Sequence, residues 1–129
     1  MDENGKTCSL SCGGILTNTS GSFQTPGWPD GYPREDFICE WTIILPNIST
    51  IQFEVDSSAY GIAGRPPCPK GHIEFFDGLE SDSQSLGRFC SIQVPEPITV
   101  TTGAARVVFE GRMNSRRPAN RKGARVVYG

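Results

Sequence analysis

The side chains best able to do chemistry in this 129-residue chain are its five cysteines, Cys8, Cys12, Cys39, Cys68 and Cys90. No two form a CxxC pair, and the only histidine is His72, so the ligand spacing of a structural zinc site is missing. Two disulfides with one thiol left over is the better account, and it implies an oxidising compartment. Two N-glycosylation sequons, Asn18-Thr19-Ser20 and Asn47-Ile48-Ser49, agree with that. His72 is also the sole imidazole that could act as a general base. It precedes Ile73 at the start of a predicted strand, with no nucleophile elbow in the chain, so it reads as a strand-edge histidine. No GxxxxGK[ST] loop is present to cradle phosphate. No catalytic residue and no cofactor is assigned.

Charge is the other chemical signal. The net charge is only −2, but it is unevenly placed. Arg112, Arg116, Arg117, Arg121, Lys122 and Arg125 are six basic residues in a stretch without an acid; the rest holds six basic and fourteen acidic residues, a net of −8. A basic loop on an acidic body attracts anionic partners. Guanidinium forks suit carboxylate and sulfate groups. The competing account is a solvated loop whose arginines pair with the domain's own acids, since exposed pairs contribute only about 0–1 kcal/mol. Nucleic acid is a poor fit to this overall charge.

Alternating strands must position these groups. Phe37, Cys39, Trp41, Ile43 and Leu45 fall on one face; Ile51, Phe53 and Val55 repeat the pattern. Ile73 and Phe75 mark a third strand, bounded by the turn pair Asp77-Gly78. Val107 with Phe109, and Val126 with Tyr128, mark two more. This period of two is the signature of half-buried strands, and no stretch holds a helical period over three turns. With 15 Gly and 10 Pro, many short strands joined by turns predict an all-β sandwich or barrel. Pro26 to Pro33, Gly61 to Gly71 and Arg112 to Lys122 read as loops. Trp28, in the first of these, is expected to cover the core or to stand out as an anchor; Trp41 is core. No run approaches the ~20 apolar residues that span a bilayer, so no membrane insertion is expected. Met1 to Ser11 is polar and lacks the apolar region of a signal peptide. It reads as an N-terminal extension, 1–11, before one domain, 12–129, cut from a larger precursor.

Several segments resemble one known family, in order and at its spacing. Cys12-Gly13-Gly14-Ile15-Leu16-Thr17, Ser20-Gly21-Ser22-Phe23, Pro26, Pro29 and Tyr32-Pro33 resemble the opening of a CUB domain. Cys39-Glu40-Trp41-Thr42-Ile43 resembles the strand carrying its second cysteine. Phe75-Phe76-Asp77-Gly78 and Leu86-Gly87-Arg88-Phe89-Cys90 resemble its middle, and Val107-Val108-Phe109 and Val126-Val127-Tyr128 its end. The resemblance implies a jelly-roll-like β-sandwich of two antiparallel sheets, with Cys12–Cys39 and Cys68–Cys90 bridges. Each would contribute roughly 3.5 kcal/mol by closing a loop of two to three dozen residues. Cys8 stands outside the pattern. It is left for a partner elsewhere in the parent protein, or for an intermolecular bridge.

The chain departs from the resemblance at one site. Many CUB domains hold calcium through three carboxylates, at positions matching Gly61, Gly71 and about Arg112 here. No Asp or Glu occurs from Ser57 to Ile73 or after Glu110, and calcium normally takes two or more carboxylates. No calcium is therefore expected. The resemblance implies an extracellular or cell-surface interaction module without catalysis of its own. Its expected partner is a protein ligand, acidic if the basic loop receives it. The alternatives are a heparan sulfate or glycan binder like the spermadhesins, and a non-catalytic domain of an extracellular protease.

Overall fold

The computed structural model describes residues 12–28, 37–45, 50–62, 68, 71–80, 82–90, 94–111 and 122–129. Nine strands run in chain order: β1 (Gly14–Leu16), β2 (Gly21–Gln24), β3 (Phe37–Ile44), β4 (Ile51–Val55), β5 (Gly71–Asp77), β6 (Gln84–Phe89), β7 (Ile98–Val100), β8 (Ala104–Gly111) and β9 (Arg125–Tyr128). No helix occurs among the described residues. One sheet has the order β1-β3-β8-β5-β6 and the other β2-β9-β4-β7. All pairings are antiparallel except that of β1 with β3, which is parallel.

All five alternating runs form strands, because alternation lets one face of each strand leave water. β3 and β8 show it most fully. Cys39 lies opposite Phe109 and Trp41 opposite Val107, and all four are buried. Leu45 lies just beyond β3 and is still core. From the second sheet Phe23, Phe53, Val126 and Tyr128 face these residues. Rings close the gap between the layers: Phe23 stacks on Trp41 at 4.6 Å, and Phe53 meets Phe75 at 5.4 Å. Each fully buried phenylalanine contributes roughly 2–3 kcal/mol.

The parallel strand β1 has a local cause. The Cys12–Cys39 bridge, with Cα atoms 5.4 Å apart, ties the start of the chain to β3. Gly13, at φ 90°, then turns the chain alongside it, where a Cβ would stand 2.6 Å from the Glu40 carbonyl oxygen. The second bridge, Cys68–Cys90, joins the approach to β5 with the residue after β6.

The strand directions sort the connections between two ends. β2–β3, β4–β5, β6–β7 and β8–β9 connect at what we term the upper end; β1–β2, β3–β4, β5–β6 and β7–β8 connect at the lower end. The lower end is closed by the Leu45 N–H donating to Gly103 O at 2.9 Å.

Candidate functional site

The upper end is built around two glycines. The Gly61 N–H donates to Gly123 O at 3.0 Å, and the Gly123 N–H donates back to Gly61 O at 2.8 Å. This pair joins the β4–β5 connection directly to the β8–β9 connection. Gly123 has φ 91°, and a Cβ there would run into Thr25 Oγ1. That same hydroxyl oxygen accepts the Ala124 N–H at 3.0 Å, while the Thr25 N–H donates to Ala124 O at 2.9 Å. Trp28 adds a third segment, its indole N–H donating to Ala59 O at 2.7 Å. Trp28 is half-buried against this junction, so it belongs to the wall of the site and is not a free-standing anchor.

The basic residues divide. Lys122 is exposed at this end. Arg125 lies in β9, not in a loop, and its guanidinium meets Asp56 at 3.6 Å and Ser22 Oγ at 3.4 Å. Its setting differs from that of Lys122: strand pairing carries Arg125 to an acid distant in sequence, as the Asp56 N–H bonds Arg125 O at 2.8 Å. Asp56 is held below its usual pKa of 3.8. The Ser58 hydroxyl and N–H, which donate to Oδ1 at 2.6 and 2.8 Å, are the main cause, and the Arg125 charge adds to it. Arg112, Arg116, Arg117 and Arg121 lie outside the described residues, as do Cys8 and Asn47. β8 ends at Gly111 and the description resumes at Lys122, both at the upper end.

The family's calcium positions can be tested at Gly61 and Gly71. Neither has a side chain, and the Gly61 carbonyl already accepts from Gly123. Gly71 lies in β5, where a Cβ would stand 2.8 Å from Glu110 O. The nearby acid Asp56 is engaged by Ser58 and Arg125. These residues do not fit a calcium ion, which needs several free hard oxygens.

His72 lies near the start of its strand, as expected. It is the second residue of β5, an inner strand, and it is buried. Its Nε2 lies 3.7 Å from Glu74 Oε1, and Glu74 also accepts from Ser85 Oγ at 2.7 Å and Arg88 Nε at 3.2 Å. The carboxylate thus stands between hydroxyl and imidazole, the reverse of the order a Ser-His-Asp triad needs. Arg106, on the same sheet, lies 4.4 Å over the Phe76 ring and 3.5 Å from Glu40. The outer face of this sheet therefore neutralises many of its own charges. A shallow depression of about 250 Å³ beside Gln52, Glu54 and Val127 is smaller than a usual small-molecule site.

Sequence reasoning missed the junction of Gly61, Gly123, Thr25 and Trp28. The one available signal was glycine at both 61 and 123, and nothing in the spacing of the 15 glycines sets these two apart.

Comparison with known proteins covers the same residues. The CUB domain family matches residues 12–124. Human Tolloid-like protein 1 is 33% identical over 105 residues, 81% of this chain and 10% of that protein. Human procollagen C-endopeptidase enhancer 2 is 33% identical over 93 residues, 67% of this chain and 21% of that protein. The chain thus spans a small part of these relatives' length. Among solved structures, the CUB2 domain of MASP-1 bound to Ca2+ superposes with a TM-score of 0.75 at 24% identity, covering 92% of this chain and 98% of that one. Two disulfides closed across a CUB sandwich mark an extracellular chain. The chain belongs to the CUB domain family of extracellular interaction modules.

Proposed function

We propose that this domain binds an extracellular protein ligand without calcium, through the upper end of the sandwich. The observation that carries the reading is the reciprocal Gly61–Gly123 pair. It joins by backbone alone the two connections that a cation would otherwise order, at positions where no carboxylate is available. Lys122 stands exposed beside it. With Arg125 engaged by Asp56, the cationic contact set is Lys122 with Arg112, Arg116, Arg117 and Arg121, which suits an acidic partner. In this reading the domain acts by presenting a surface to a protein, without a catalytic step of its own and with neither nucleic acid nor a membrane as its partner. A binding screen of the parent beside Arg116→Glu with Arg117→Glu, run in calcium and in chelator, tests this. Ligands should bind the parent equally in both buffers and bind the double variant more weakly. A ligand that needs calcium, or that binds both proteins alike, overturns it.

A second reading is supported by one relative's name, procollagen C-endopeptidase enhancer 2. In it the domain is a non-catalytic part of an extracellular protease system, presenting a substrate or an enzyme. A third reading, heparan sulfate binding, rests on the same cations. It requires salt-sensitive retention on heparin above physiological ionic strength.

A further inference from the structure

The sequon at Asn18 is not used by the upper-end reading, and the fold places it at the opposite end. Asn18, Thr19 and Ser20 form the bend between β1 and β2, and all three are exposed. The backbone there is tied to the body of the domain. The Tyr128 hydroxyl donates to Asn18 O at 3.2 Å. The tie uses the main-chain carbonyl only and leaves the exposed carboxamide facing solvent. Around it the lower end is closed by internal contacts: Leu45 N–H to Gly103 O at 2.9 Å, and Thr102 Oγ1 to Asp77 Oδ1 at 2.8 Å.

We infer that Asn18 is an N-glycosylation site whose glycan stands on the lower end of the sandwich, opposite the Gly61–Gly123 junction. The extracellular route brings the chain past the required co-reactant, a lipid-linked oligosaccharyl diphosphate. The Asn18 amide nitrogen forms a bond to C1 of the first sugar, and the C1–O bond to the diphosphate breaks. The lipid diphosphate leaves with the electron pair, and the amide nitrogen gives up one proton. Ser20 supplies the hydroxyl that the sequon requires at its third position. Because the acceptor is exposed and only its carbonyl is engaged, the folded domain holds the modification without moving a core residue.

The test is site occupancy on the full chain secreted from a eukaryotic cell. Glycopeptide mass spectrometry of the parent should find hexosamine-containing mass on the peptide carrying Asn18. Enzymatic deglycosylation should convert that residue to Asp. Ser20→Ala should abolish the modification at Asn18, Ser20→Thr should retain it, and Asn47→Gln should leave it unchanged. An unmodified Asn18 peptide in the secreted parent overturns the inference, as does mass that survives Ser20→Ala. Occupancy is read on the parent itself, so a variant that fails to be secreted does not remove the test. It is also independent of ligand binding, so this inference and the upper-end reading can fail separately.

Discussion

Gly61 and Gly123 exchange both of their backbone hydrogen bonds, at 3.0 and 2.8 Å, and so form an isolated bridge, outside the named strands, between the β4–β5 and β8–β9 connections. The bridge depends on a glycine at 123. The φ of 91° disfavours any side chain, and a Cβ would meet Thr25 Oγ1.

Gly123→Ala should therefore be destabilising, by about 1–3 kcal/mol for the strained backbone. The clash with Thr25 acts in the same direction. Chemical denaturation should show a lower midpoint with an unchanged slope, and hydrogen exchange at the Gly61 and Ala124 amides should speed up. Unchanged protection at those amides would mean the bridge does not order the upper end.

Calcium should not bind where the fold would place it. Calorimetric titration of the metal-free protein should give only dilution heat, and chelator should leave the Tm unchanged. A saturable event of micromolar affinity would contradict the reading of Gly61 and Gly71.

Acid should weaken the Asp56–Arg125 link. The folded pKa of Asp56 lies below 3.8, so its ionised form adds stability above that value. The contribution is lost as pH falls through the depressed folded pKa. Asp56→Asn should be less stable than the parent near neutral pH, and the two should converge in strong acid. A gap between them that stays constant with pH would show that the loss does not come from ionisation of Asp56, against the Ser58 and Arg125 contacts that favour its charged form.

The core should respond to a cavity at Phe53, which is fully buried and meets Phe75 across the sandwich and Tyr128 beside it in its own sheet. Phe53→Ala should cost about 3–5 kcal/mol, measured by equilibrium denaturation. A loss below 1 kcal/mol would show that the two layers collapse onto the space.

Much of this fold was legible along the chain. The runs at β3, β4, β5, β8 and β9 alternate strongly, because each buries one face against the opposing sheet. β7 was not legible and β1 was read only within a family motif, since three residues are too few to show a period. β2, four residues with one buried, was read only as part of a family motif. β6 too was read only within a family motif, because it lies at a sheet edge and its residues range from half-buried to exposed without alternation. The parallel pairing of β1 was also out of reach. It follows from a bridge and a glycine turn that act across the chain.

The amino-acid sequence by itself determined an all-β chain of short alternating strands, the motifs that resemble one family, and the lack of carboxylates at positions 61 and 71. Each of these is written in residue type and local spacing. Only the tertiary structure decided that Arg125 serves Asp56, that His72 lies on an inner strand, and that Asn18 and the Gly61–Gly123 junction occupy opposite ends. The physical reason is that a charge, a carbonyl or an exposed amide acts through its neighbours in space. In a sheet those neighbours are set by strand pairing between segments far apart in the chain.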